Sequence, residues 1–244
     1  ISMDGILRCA RYAFSPNKLH LCGPDANREV FSYIRENASD PGLEKILSAF
    51  RTMYPYLRHI AEANKINDPF NDQVVEAYWI GNNLLETIDK KTFYRHIIDG
   101  QKIKKRVNST EFNQITDKIR LGAVPHHSFH VFTVWKTKKD YDSESNIENI
   151  DNCRISWGII EKIDGPFLFV KTKPLLYIKD KLVLDQPIIK KINRVFTTHY
   201  DIEQLQINDI ISIHWNMPCE VITPTQATML EKYTLRHINL FNIE

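Results

Sequence analysis

The hydrophobic period of this chain changes once, and that change limits the folds open to it. Up to about residue 120, apolar side chains recur every three or four positions, the repeat of helices that bury one face. Beyond residue 152 they alternate or run in short β-branched stretches, the pattern of strands. Between the two lies a polar run, Lys-Thr-Lys-Lys-Asp-Tyr-Asp-Ser-Glu-Ser-Asn, which continues to Asp151 with little apolar content. The pattern predicts an α+β chain with a mainly helical domain over residues 3–135, a polar linker over 136–151, and a small OB-like β-barrel with a C-terminal helix over 152–244. Cutting near Ser145 is then expected to give two separately folding pieces.

In the first half, helices are predicted over 4–14, 26–37 and 41–64, with a kink or split near Tyr54 imposed by Pro55. Others follow Asp68-Pro69 and occupy 90–99 and 109–120. Pro16-Asn17 and Gly23-Pro24 predict a loop over 14–25, and it carries Cys22. Phe129 to Trp135 is β-branched and aromatic and predicts a strand. In the second half, strands are predicted over 155–163, 167–172, 175–184, 188–197, 210–215 and 220–222, with Asp164-Gly165 as a hairpin turn. Thr223-Pro-Thr-Gln226 is a capping box with proline in the first turn of the last helix.

Charge excludes little by its sign but something by its size. There are 32 basic against 30 acidic residues, a net +2, too small to predict nucleic-acid binding or adsorption to a membrane surface. No apolar run is long enough to span a bilayer, and no secretory signal is visible, so a cytoplasmic protein is expected. The four cysteines, Cys9, Cys22, Cys153 and Cys219, are scattered without paired zinc-site spacing and should be reduced.

Two groups of residues have the chemistry of a metal site. His126, His127 and His130 crowd five positions, and imidazole suits transition metals. On a strand, His126 and His130 would stand roughly 13 Å apart, so they could share an ion only if the chain bends at Pro125-His126-His127. With the Cys22 loop they define one option, a metal-dependent enzyme whose site lies between the domains.

The second group rests on a resemblance. Cys153, Gly158 and Asp164-Gly165, with a β-branched strand between, resemble the opening of the HypC/HybG/HupF family of nickel–iron hydrogenase maturation chaperones. Trp157 stands where that family usually has proline. Asn208-Asp209, the strand from Ile210, His214 at its end and the Thr223-capped helix are similar to the family's later segment. The resemblance covers roughly residues 152–240; the whole chain is also similar to uncharacterised prokaryotic proteins. The resemblance implies that Cys153 and His214 hold an iron carrying cyanide and carbonyl ligands, with the sulfur and the nearer ring nitrogen within roughly 7 Å of each other before metal binds. It implies as partners a HypD-like scaffold and a hydrogenase large-subunit precursor. His214 shares its strand face with Ser212, opposite Ile211, Ile213 and Trp215, which predicts an accessible ring. A third option is a metal-free adaptor that uses the barrel only as a binding surface.

Overall fold

The computed structural model describes residues 4–135, 144–194 and 205–243. Ten α-helices occur among them: α1 (Gly5–Lys18), α2 (Asn27–Glu36), α3 (Pro41–Ser48), α4 (Met53–Ala63), α5 (Asp72–Trp79), α6 (Lys90–Arg95), α7 (Ser109–Arg120), α8 (His127–Phe129), α9 (Glu144–Cys153) and α10 (Pro224–Phe241). The strands are β1 (Ser156–Asp164), β2 (Phe167–Thr172), β3 (Leu175–Ile178), β4 (Lys181–Leu184), β5 (Ile188–Asn193), β6 (Ile210–His214) and β7 (Met217–Val221). No helix among the described residues is long and apolar enough to cross a membrane.

Among the described residues the strands do not close into a barrel. They form an antiparallel sheet in the order β5-β2-β1-β6-β7 and a separate β3-β4 hairpin. Residues 175–184, expected as one strand, are split by Lys179 and Asp180, both at positive φ (50° and 61°). That is the backbone of a tight two-residue hairpin turn. The hairpin leaves the sheet and buries Leu175 and Leu182 with Ile150 of α9 and Ile238 and Phe241 of α10. A barrel would need a ladder between the edges β5 and β7; instead one backbone bond, Asn193 N–H to Asn216 O at 3.0 Å, touches the turn before β7.

Four further expectations change. The stretch from Glu144 to Cys153 is a helix, and Ile150 is its buried anchor; residues 136–143 of the expected linker lie outside the described residues. Residues 127–135 are helical, α8 running into a π-helical turn (His130–Trp135), because Val131 and Phe132 pack against α9 and α10 rather than into a sheet. Tertiary burial here outweighs the strand propensity of the segment. Helix α1 continues through Pro16 to Lys18. The 41–64 helix breaks at 49–52, and Pro55 falls in the first turn of α4, where its missing N–H breaks no helical bond.

One apolar core joins the two halves of the chain. Tyr12, Phe50, Tyr56, Tyr78, Trp79 and Phe129 belong to the same buried cluster as Ile155, Met217, Cys219, Ile222, Leu230 and Tyr233. A buried ionic knot crosses the same boundary. Arg8 of α1 donates from Nε to Glu220 of β7 and from Nη1 to Asp72 of α5, both at 2.9 Å, and the Tyr12 hydroxyl donates to Glu220 at 2.6 Å. Burial works against the Arg8 charge, but Glu220, Tyr12, Asp72 and Glu76 outweigh it and raise its pKa. Glu220→Ala removes the Nε partner of this cation, which keeps Asp72 on Nη1, and one of two partners of the Tyr12 hydroxyl, which keeps Ser212 at 2.8 Å; the expected loss is about 1–3 kcal/mol of stability. Urea unfolding checks it; a change below about 1 kcal/mol would show that water replaces the carboxylate without cost.

Thr223 caps α10 as its sequence predicts. Its Oγ accepts from Gln226 N–H at 3.2 Å, and the Gln226 side chain returns to the Thr223 N–H at 2.9 Å. Thr223→Ala should cost about 1 kcal/mol. An unchanged thermal midpoint would mean that α10 is held by packing alone.

Candidate metal centre

Three donors from three elements converge where the helical half meets the sheet. His127 opens α8, Cys153 ends α9 and His214 ends β6. Their ligand atoms all lie within 4.8 Å of one another. The distance between Cys153 sulfur and a ring nitrogen of His214 therefore falls inside the expected 7 Å. Tetrahedral donors at about 2.0–2.3 Å from an ion sit roughly 3.5 Å apart, so the trio needs about 1 Å of closure to hold one.

The antiparallel register explains how His214 and Cys153 meet. Ser156 pairs with Ile213, which sets the start of β1 beside the end of β6. The N–H of Trp215 then bonds to the Asn152 carbonyl at 2.8 Å, tying the turn after His214 to the residue before Cys153. Arg154, almost fully buried, fixes the end of α9: its Nε bonds Asp151 at 2.7 Å and its Nη2 bonds the Lys173 carbonyl at 2.6 Å. Gly158 matters at the next step of the strand. A Cβ there would stand 2.4 Å from the backbone oxygen of Lys171, so only glycine lets β2 lie this close to β1.

Pro16 explains the orientation of His214. Without an N–H it cannot bond the Tyr12 carbonyl one turn back. His214 Nδ1 takes that carbonyl instead, at 2.7 Å. A carbonyl only accepts, so Nδ1 carries the proton and Nε2 keeps its lone pair. Nε2 is buried and makes no hydrogen bond. A ring that donates one N–H to a backbone carbonyl and leaves the other nitrogen bare is set up as a metal ligand. His127 is fixed by similar logic: Nε2 donates to the Cys153 carbonyl at 2.9 Å, so Nδ1 carries the lone pair and accepts from the Tyr78 hydroxyl at 3.1 Å. Burial keeps both rings neutral. It pulls His214 down to about 4, and burial together with the nearby His214 ring pulls His127 well below the ordinary value.

The trio lines a cavity of about 100 Å³ whose other walls include Phe50, Met53, Tyr78, Trp79, Trp135 and Trp215. Trp79 leans on both site rings, with centroids 4.7 Å from His127 and 5.6 Å from His214. His214 is 2% exposed, so the accessible ring expected from its strand face is not found; access runs through the cavity.

The histidine-rich segment divides three ways. His127 joins Cys153 and His214. His130, one helical turn on, lines the same cavity, and burial holds it neutral at about 4. His126 does not reach the cavity. Its Nδ1 accepts from the Ser128 N–H at 3.1 Å, and its ring stacks on Tyr233. The extended backbone of His126 sends its ring elsewhere before the helix begins. No sequence signal groups His127 with Cys153, which is why the two groups stood as alternatives although members of both meet in one candidate site. Tyr78 and the Tyr12 carbonyl are equally invisible as site residues until the helices are packed.

One thiolate and two imidazoles form a donor set for zinc, iron, cobalt or copper, and three protein ligands leave coordination positions open. The fold and site thus define an α+β protein with a Cys/His/His group, its two rings buried and its cysteine half-buried, at the junction of its helices and its sheet. The chain belongs to DUF6390, a family of unknown function, whose model matches residues 1–244. No curated protein and no solved structure matches it. The family match runs through the helical half, and these comparisons lend no support to the HypC/HybG/HupF resemblance.

Proposed function

We propose that this protein binds a transition-metal fragment through Cys153, His214 and His127 and carries it to another protein. The observation that supports this reading is the convergence of three donors with both imidazole tautomers already set by backbone carbonyls. Three donors are one short of a closed structural site, whereas a carrier needs open positions for its cargo's other ligands. An apolar cavity of about 100 Å³ suits small uncharged or strongly metal-bound ligands such as cyanide and carbonyl. The cargo is then iron, and the role is that of a maturation chaperone resembling HypC/HybG/HupF. Its partners are a HypD-like assembly scaffold and a hydrogenase large-subunit precursor, in the cytoplasm.

His130 supports a second reading. A neutral imidazole in the same cavity can take a proton from a bound substrate, so a metal-dependent enzyme is the alternative. Anaerobic purification followed by metal analysis and infrared spectroscopy separates the options. The carrier predicts stoichiometric iron with cyanide and carbonyl stretches. A stoichiometric metal without those stretches favours the enzyme. A chain that takes up neither iron, zinc, cobalt nor nickel is an adaptor, and the proposal fails.

A further inference from the structure

Cys22 lies between α1 and α2 and lines the same cavity as His127, Cys153 and His214. It stands outside their tight group. Its backbone is held over the cavity by two devices. The Asn17 side chain donates to the carbonyls of Cys22 and Pro24, at 2.9 and 2.6 Å, and draws the loop closed. Gly23 follows at φ +87°, and a Cβ there would lie 2.3 Å from the Phe50 ring. Only glycine lets the loop settle on Phe50, itself a cavity wall. Next to Cys22, Leu21 is 54% exposed, so the loop forms the rim of the cavity. The chain therefore brings a second thiol to a site that already holds one thiol and two imidazoles, and brings it on a loop rather than on a helix or strand.

Resting on the metal reading above, we propose that Cys22 is a second thiolate ligand. It completes a two-cysteine, two-histidine donor set once metal is bound, and it is the ligand given up when the metal is passed on. The exchange balances simply: a thiolate of the accepting protein forms a bond to the metal as the Cys22–metal bond breaks, and the released Cys22 sulfur takes up the proton lost by the incoming thiol. The three inner donors are set by elements packed on both sides. Cys22 sits on the loop at the cavity rim, so it is the donor that moves toward the metal to bind and away from it to leave.

Cobalt(II) is the probe, added anaerobically to the full chain, because thiolate-to-cobalt charge transfer reports the number of sulfur ligands. Cys22→Ser is expected to halve the charge-transfer band of the wild-type complex and to speed cobalt loss to a chelator, with the melting curve of the metal-free protein unchanged. In the unmodified chain, cobalt should protect Cys22 as well as Cys153 from iodoacetamide, read by mass spectrometry, which needs no variant to fold. A full-strength band in Cys22→Ser, or Cys22 alkylated equally fast with and without cobalt while Cys153 is protected, overturns this inference and leaves the three-donor site standing. No cobalt binding by the wild type, or a band indifferent to Cys153→Ser, overturns both.

Discussion

Cys153→Ala is expected to abolish anaerobic iron or cobalt binding while leaving the melting curve nearly unchanged. Cys153 is half-buried at the last turn of α9, and its backbone position is held by Arg154, Asn152 and the bond to Trp215, none of which needs the sulfur. His214→Ala should remove binding equally but should also weaken the fold. Its ring is buried, and its Nδ1 proton is what satisfies the Tyr12 carbonyl that Pro16 leaves open. Losing that donor costs about 1–3 kcal/mol, before the cavity left by the ring is counted. A site in which either residue only filled the core would be expected to weaken on both substitutions and bind no metal in the wild type. His127→Ala should reduce affinity by more than the roughly 10–100-fold typical of an outer-shell loss. Cys9→Ala and Cys219→Ala should leave metal binding intact. Both thiols are buried in the main core, where burial pushes Cys9 up to about 12 and Cys219 well above the ordinary range, so they stay protonated and inert. Metal stoichiometry measured across this series decides the matter, and retention of metal in Cys153→Ala would sink the site.

How much of this could be read from the residues depends on whether the cause was local. The Thr223 capping box is four consecutive residues, and it formed as read. The helical face Leu43, Leu47, Phe50, Leu57 and Ile60 is likewise a local pattern, and all five are buried. Helix α9 was illegible because its described part offers mainly Ile147 and Ile150 as apolar anchors, and a polar run with two isoleucines looks like a linker until β3 and β4 fold over it. The segment 129–135 misled for the opposite reason: its residues favour strands, but Val131 and Phe132 find partners on α9 and α10, which only a helical path supplies. Pro16 should stop a helix, and it does remove a bond; the carbonyl it frees is claimed by a side chain 202 residues away. Cys153 and His214 were paired only through a resemblance. The physical reason for their meeting, the β1–β6 register, appears once the strands are ordered.

Acid should unfold this protein well above the pH at which carboxylates alone would. In metal-free protein, stability is expected to fall steadily once the pH drops below about 6.5, the ordinary histidine value, and to be largely gone near pH 4. Outside the metal site, His59, His96, His126 and His237 carry the effect. Burial, first of all, lowers His59 to about 4, His96 to about 2 and His126 to about 3, and pushes His237 well down. The geometry says why charge is unwelcome. His59 and His96 stack face to face at 4.4 Å, each with a buried Nε2 that has no partner, so two cations there would repel without solvent. His237 Nε2 accepts the Val124 N–H at 3.2 Å, and His126 Nδ1 accepts the Ser128 N–H; protonating either nitrogen breaks that bond. The sign follows from proton counting. Between the folded values of about 2–4 and the unfolded 6.5, the unfolded chain binds more protons, so stability rises with pH in that window. The contribution is fully present above the unfolded value and lost as pH falls toward the folded ones. Urea midpoints between pH 7 and pH 4.5, taken with chelator present, should therefore fall, and the slope should correspond to uptake of several protons on unfolding. His96→Gln, which removes one ring of the stack, should flatten that slope. A midpoint level down to pH 5 would mean that these rings gain protons inside the fold, and the packing argument for their neutrality would be wrong.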